Sequence, residues 1–186
     1  MQNKGNRQKE VKLLSIFKVL VNFEPIINNM SLNKYFYLIP LVGLLLVSSL
    51  SEAQNKKRRK KISAVIAKAE TYKGTPYKYG GTSKSGIDCS ALIQNSYAHA
   101  GYKVPRTSKE QSKFGKKVSW NGVRPGDLVF FKFKKKGEKW YHSGMVVRRE
   151  GENIYFLHAS SSRGVVESNL ASDYYKKNVK VFRRVI

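Results

Sequence analysis

The series of short β-rich segments after Trp120 limits what this chain can fold into more than any other feature. Pro125-Gly126-Asp127 is turn chemistry, and the runs Leu128–Phe133, Gly144–Arg148, Ile154–His158 and Val179–Val185 follow it. Upstream the pattern differs: apolar Ile62, Val65, Ile66, Ala69 and Tyr72 recur at helical spacing, with Gly74 placed as a stop. Helices first and a meander of strands second predicts an α+β fold, N-terminal helices on a C-terminal antiparallel β-sheet. No internal repeat or second domain shows. Residues 62–186 are read as one domain, long enough to bury a core.

Residues 30–53 have the build of a signal peptide. The apolar run Tyr35–Leu50 follows Lys34 and precedes Ser51-Glu52-Ala53, an A-x-A-like cleavage pattern that would leave Gln54 as the new N-terminus. The other reading is an uncleaved anchor, but the run is shorter than the roughly 20 residues a spanning helix needs, and Pro40 interrupts it. No cysteine stands directly after the run, which excludes a lipid-modified N-terminal cysteine. Residues 1–29 precede this signal, so they are read as an upstream extension with Met30 as the true start. The expected location is the cell envelope or the extracellular space.

The formal net charge is +24 over 186 residues. From Gln54 onward thirty basic residues face nine acidic ones, a surplus of 21. Such excess attracts polyanions, and charge alone does not choose among them. With export, the expected partner is an anionic wall polymer or lipid surface; no nucleic acid is expected, and a monomer is. Residues 54–61, QNKKRRKK, lack apolar periodicity and are read as a disordered basic tether. Close to an anionic surface, each basic residue would contribute about 1 kcal/mol.

Cys89 is the one cysteine in the chain. By itself it could be a small buried hydrophobe. In an exported protein structural cysteines come in pairs, so an unpaired one suggests a reactive thiol or an intermolecular bridge. Its setting, GGTSKSGIDCSAL, runs a glycine-rich loop into Asp88, a good N-cap, which places Cys89 at the start of a helix. Partial positive charge there favours the thiolate. The helix is expected to reach Ala100, with Gly101 as its cap. Ser108 and Gln111 read as a capping box for a short helix to Phe114.

A thiol nucleophile needs a base, and the base needs an orienting group. The histidines are His99, His142 and His158. His99 lies almost three turns along the Cys89 helix and is read as a surface residue. His142 and His158 sit at the same end of an expected hairpin turning at Gly151, where both could face the Cys89 helix. Cys89, His142 and His158 then form a nucleophile–base–orienter set. Backbone N–H groups at the helix start could hold an oxyanion. A metal site from the same three residues lacks any close-spaced ligand pair, so no metal or other cofactor is expected. No G-x-S-x-G supports a serine hydrolase.

Taken in order, these pieces resemble the NlpC-type papain-like cysteine peptidases of bacterial cell walls. The matching segments are GTPYKYGG from Gly74, DCSALIQ from Asp88, PRTS from Pro105 with Gln111, PGDLVFF from Pro125, HSGMV from His142 and FLHASS from Phe156. Together they span nearly all of 62–186. The resemblance implies a papain-like fold, a peptidoglycan endopeptidase, and Cys89, His142 and His158 as nucleophile, base and third polar member. It implies that Tyr77, Asp88 and Ser90 help hold the stem peptide, with Arg106 either beside them or a structural partner. It points to the γ-D-glutamyl–diamino acid bond. Asp127 is expected to serve a structural turn, with shaping of the cleft as the alternative. Tyr79, Ala91 and Ser143 stand where the family often has tryptophan, glycine and valine, which affects cleft shape and not chemistry. The rival readings are a non-catalytic polyanion- or wall-binding protein on the same fold and a thiol amidase or acyltransferase.

Overall fold

A computed structural model describes residues 38–135 and 138–186. The expected upstream extension 1–29, the beginning of the signal segment and the tip of the lysine-rich loop at Gly137 lie outside the described residues. The chain divides into two compact units, Met1–Ala53 and Gln54–Ile186.

Helix α1 spans Leu38–Glu70, starting well before the periodicity at Ile62. It takes in 54–61, so the disordered tether is corrected to helix. Lysine, arginine and glutamine are good helix formers, and no glycine or proline interrupts the chain between Gly43 and Gly74. Packing holds this stretch in place. Val65 and Ala69 are fully buried, Arg58 Nη2 donates to the Ile186 carbonyl at 2.8 Å, and the Lys61 ammonium lies 4.7 Å from the Tyr102 ring centroid. Among the described residues no helix is long and apolar enough to cross a membrane.

After a small hairpin, β1 (Thr82–Ser83) and β2 (Gly86–Ile87), helix α2 runs Cys89–His99 and the short α3 Ser108–Gln111. The cap of α3 is one residue earlier than expected. Thr107 Oγ1 accepts from Glu110 N at 3.3 Å and its hydroxyl meets the Glu110 carboxylate at 2.7 Å. Thr107 is therefore the N-cap, with the Glu110 carboxylate held on its hydroxyl. The shift frees Ser108 and Gln111 for other work.

The sheet contains β3 (Lys116–Val118), β4 (Leu128–Lys135), β5 (Glu138–Glu150), β6 (Asn153–Ser160), β7 (Gly164–Asn169) and β8 (Val179–Arg184), with a short α4 at Asp173–Lys176. Its order is β3-β8-β4-β5-β6-β7, antiparallel throughout. The expected hairpin between β5 and β6 turns at Gly151, whose φ is +59°. Strands β3 and β7 were not expected, because neither carries a sustained apolar run.

Strand alternation separates two cores. Leu128, Phe130, Met145 and Leu157 pack with Ala91, Leu92, Ile93 and Tyr97 of α2 and with Val65 and Ala69 of α1. Val129, Phe131, Val146, Ile154 and Phe156 form the other face with Phe182 and Leu170. Because Phe131 pairs with His142 across β4–β5, that histidine belongs to the second face. His158 joins it there, stacked on Phe156 at 4.8 Å between centroids. The histidines are neighbours as expected, on the face away from α2's main packing, and His142 reaches Cys89 at the start of that helix.

Candidate active site

Asp88 caps α2 from an extended conformation, φ −94° and ψ 169°. Its Oδ1 accepts from Ala91 N at 2.7 Å and from Ser90 Oγ at 2.9 Å. Arg106 reaches both carboxylate oxygens, Nη1 to Oδ1 at 3.0 Å and Nη2 to Oδ2 at 2.6 Å, and also donates to Ser90 Oγ at 2.8 Å. Burial pushes the Asp88 carboxyl up, but these hydrogen bonds and the arginine charge outweigh it and hold the group below the usual carboxylate range. A permanent anion thus fixes the cap, and the cap fixes Cys89 at the first helical position.

Cys89 is 8% exposed and unpaired. Burial alone would raise its thiol. The hydrogen bond and charge of His142, with the hydroxyls of Ser143 and Ser108, instead lower it from 9.0 to about 7. Ser108 Oγ lies 3.6 Å from Sγ. Ser143 Oγ is buried without a partner of hydrogen-bonding geometry among the described residues, so it acts on the thiol as a nearby dipole.

His142 Nε2 lies 2.8 Å from His158 Nδ1, which leaves His142 Nδ1 to meet the thiol. His158 Nε2 continues to Ser168 Oγ at 3.0 Å and Tyr175 Oη at 3.3 Å. Burial first, then the charges of His142 and Arg163, hold the His158 imidazole down at about 3. A neutral His158 that donates from Nε2 must accept at Nδ1. That tautomer fixes the ring of His142 and suits it to carry a proton. Gly144 lets this arrangement close: a Cβ there would sit 2.5 Å from the Phe156 ring on which His158 stacks.

The cleft has two lobes that meet at Cys89. One, about 700 Å³, is bordered by His142, His158, Phe133, Tyr174, Tyr175 and Arg163. The other, about 370 Å³, is bordered by Asp88, Ser90, Arg106, Tyr79 and Ser108. Tyr77 and Tyr141 border both. All seven residues singled out from sequence therefore gather around one cleft. A chain lying across Cys89 would place its acyl part in one lobe and its leaving part in the other. Asp127 borders neither; it is 2% exposed and held by Arg184, Nε to Oδ1 at 2.7 Å and Nη2 to Oδ2 at 2.6 Å. Its role is the turn. His99 is exposed at the far end of α2. Among the described residues no group of three or more His, Cys, Asp or Glu is placed to hold a metal ion.

Ser108, Ser168, Tyr141 and Tyr175 were missed. Ser108 stood inside a quoted motif but was assigned to the cap. Ser168 lies on the unexpected β7, and the two tyrosines carry no local signal.

This geometry, a capped helix start presenting a lowered thiol to a histidine pair, coincides with a sequence match to the NlpC/P60 family over residues 74–184. The chain belongs to the NlpC/P60 family. It is 36% identical over 143 residues to the murein DD-endopeptidase MepS/murein LD-carboxypeptidase of Escherichia coli K12, covering 76% of this chain and 72% of that protein. It is 38% identical over 122 residues to the bifunctional muramidase/DL-endopeptidase CwlT of Bacillus subtilis, covering 65% of this chain and 36% of that one. A solved relative is RipD of Mycobacterium tuberculosis, a non-catalytic NlpC/p60 domain protein adapted to peptidoglycan binding. Its TM-score is 0.53 at 26% identity, with 68% of this chain and 98% of that chain covered. Family membership therefore accounts for the papain-like fold, and the side chains at the cleft must carry the chemistry.

Proposed function

We propose that this NlpC/P60 protein is an envelope cysteine endopeptidase hydrolysing amide bonds in peptidoglycan stem peptides or cross-links. The observation that carries the reading is the unbroken polar line Cys89–His142–His158–Ser168 opening on the cleft. Cys89 attacks the scissile carbonyl, and its proton passes to His142. Asp88 takes the N–H of Ala91, leaving the earlier first-turn N–H groups of Cys89 and Ser90 to hold the oxyanion. His142 then protonates the leaving amine, the C–N bond breaks and a thioester remains. Water adds with His142 as base, releasing the acid and restoring the thiol. His158 positions His142, while Tyr77, Asp88, Ser90 and Arg106 hold the stem peptide on one side of Cys89. No step calls for a metal or organic cofactor.

The favoured bond is γ-D-glutamyl–diamino acid, in keeping with the DL-endopeptidase named in CwlT. The DD-endopeptidase and LD-carboxypeptidase of MepS define the competing outcomes. Wall fragments incubated with the protein and with Cys89→Ala, followed by mass spectrometry, test both levels. Fragments ending in γ-D-glutamate that vanish in the variant support the reading. Fragments cut at the cross-link or the sugar–peptide junction would replace the bond, and release unaffected by the substitution would remove the enzyme. The pattern of RipD, binding without cleavage, is disfavoured by the lowered thiol beside His142. Export through cleavage after Ala53 predicts a mature N-terminus at Gln54, readable by N-terminal sequencing of the exported protein. The basic surplus supports attachment to anionic envelope polymers or lipid, and the protein is expected to act as a monomer.

A further inference from the structure

A second cavity in Gln54–Ile186 lies apart from the cleft. About 820 Å³ in volume, it lies between α1, the turn Arg124–Asp127 and the end of β8. Four arginines border it, Arg58, Arg59, Arg124 and Arg184, against one acidic side chain, Asp127. That carboxylate is already consumed, because both its oxygens accept from Arg184. Asp127 Oδ2 also takes the backbone N–H of Arg124 at 2.8 Å. Nothing anionic is left over among the side chains of the lining.

The remaining guanidinium groups are only partly used. Arg58 spends Nη2 on the Ile186 main-chain oxygen, while its Nε is buried without any hydrogen-bond partner among the described residues. A buried N–H of a charged group left unpaired is costly, and native structures rarely keep one without a reason. Among the described residues no side-chain hydrogen bond or ion pair engages Arg59 or Arg124. Asn55 and Ser63 add polar groups on the same wall. Arg58 and Arg59 come from the QNKKRRKK block, which the catalytic reading leaves unused.

We propose that this cavity is a second binding site, for a phosphate-bearing anion of charge −2 or more, separate from the catalytic cleft. Charge argues for phosphate over carboxylate: with Arg184 spent on Asp127 and Arg58 on the Ile186 main-chain oxygen, Arg59 and Arg124 remain, and one carboxylate would neutralise only one of them. Planar N–H forks match phosphate oxygens two at a time. The volume exceeds a single phosphate and suits a diphosphate or a short phosphodiester segment. Such groups occur in polyol-phosphate wall polymers and in phospholipid headgroups. The site would hold the enzyme on the envelope while the cleft, bordered by other residues, works on peptide. This does not depend on the thiol chemistry.

The test is titration calorimetry of the full chain with inorganic pyrophosphate, beside the double variants Arg59→Gln/Arg124→Gln and Lys177→Gln/Lys180→Gln. The second removes the same charge from exposed positions elsewhere. A tenfold or greater loss of affinity in the arginine variant, with the lysine variant within twofold of wild type and cleavage of wall peptide unchanged in both, is expected. Equal weakening in both variants, or no saturable binding by the wild type, would overturn the site and leave diffuse surface charge. Co-sedimentation with phosphatidylglycerol vesicles separates the sources. Binding lost only in the arginine variant assigns a lipid headgroup, whereas vesicle binding indifferent to the substitution assigns a soluble phosphodiester polymer.

Discussion

Helix α2 carries a polar cluster at each end, and the two are built on opposite principles. At the Tyr97 end every partner is satisfied: Asp127 is gripped by Arg184 and by the Arg124 N–H, and the Tyr97 hydroxyl donates to the Gly126 carbonyl. At the Cys89 end the groups are titratable, one hydroxyl has no partner of hydrogen-bonding geometry among the described residues, and two cavities open on the thiol. The first cluster fixes charge to hold a turn. The second keeps protons movable, and stability is given up where activity needs strain or openness.

The comparison breaks most visibly by substitution at its two centres. Cys89→Ala should abolish peptide release, by on the order of 10⁴-fold or more, and leave the thermal midpoint unchanged. Asp127→Ala strands Arg184 and should cost about 3–5 kcal/mol of stability, while the folded fraction keeps its kcat. Denaturant melts and turnover measured on the same samples read both effects. Activity loss in Asp127→Ala without loss of stability would return Asp127 to the cleft.

How much of this division was legible follows from sequence distance. Asp88-Cys89-Ser90 could be read because an N-cap is a rule about neighbours, and the turn of Asp127 was legible for the same reason. The partner of Asp127 was not: Arg184 is 57 residues away and arrives because β8 inserts beside β4, a register no local pattern states. His142 and His158 were placed together beside the start of the Cys89 helix from one hairpin, but that their strand parity puts them on the Phe131–Phe156 face was not read. Ser168 required β7, whose polar alternation hides it. Helix α1 hid its reach for another reason: a basic stretch looks solvated until Arg58 and Lys61 find partners in the domain.

His158 sharpens the contrast by pH. Its folded imidazole, near 3, lies below the ordinary 6.5. The unfolded chain therefore binds more protons between those values, so this group's contribution is full above about 6.5 and is lost as pH falls toward about 3. His158→Asn should flatten that acid limb in melts across pH. His158→Ala should lower kcat by about 10²-fold, the low end for acid–base assistance. The asparagine, able to accept from His142 Nε2, should recover part of it. Equal losses in both variants would argue against positioning through that hydrogen bond.

Arg106 tests whether the Asp88 pair belongs with the fixed or the working cluster. It resembles Asp127–Arg184 in its forked contact but is 37% exposed and borders the smaller lobe. Solvent screening limits its structural worth to about 1 kcal/mol or less. Arg106→Ala should raise KM for stem peptide about five- to tenfold, a change equivalent to about 1–1.4 kcal/mol, with kcat moved less. A fall in stability like that of Asp127→Ala, with KM unchanged, would move the pair into the structural class.

The smallest effect isolates the hydroxyls around the thiol. With the folded thiol near 7 and its ordinary value 9.0, thiolate stabilisation is present above 9.0 and lost as pH falls through about 7. The rate of iodoacetamide alkylation should follow the same midpoint. His142 supplies the larger share of that lowering and Ser143 and Ser108 the rest, in that order. Ser108→Ala removes one weak contact at 3.6 Å. It should move the midpoint upward, far less than His142→Ala does, and change kcat less than about fivefold, the scale of one neutral hydrogen bond. Ser143→Ala should raise the midpoint slightly more, and it also removes a buried polar atom that has no partner of hydrogen-bonding geometry among the described residues, so stability should hold or rise. A drop in stability would show that Ser143 Oγ is satisfied in solution, and the Cys89 end of α2 would then be less open than the Tyr97 end makes it look.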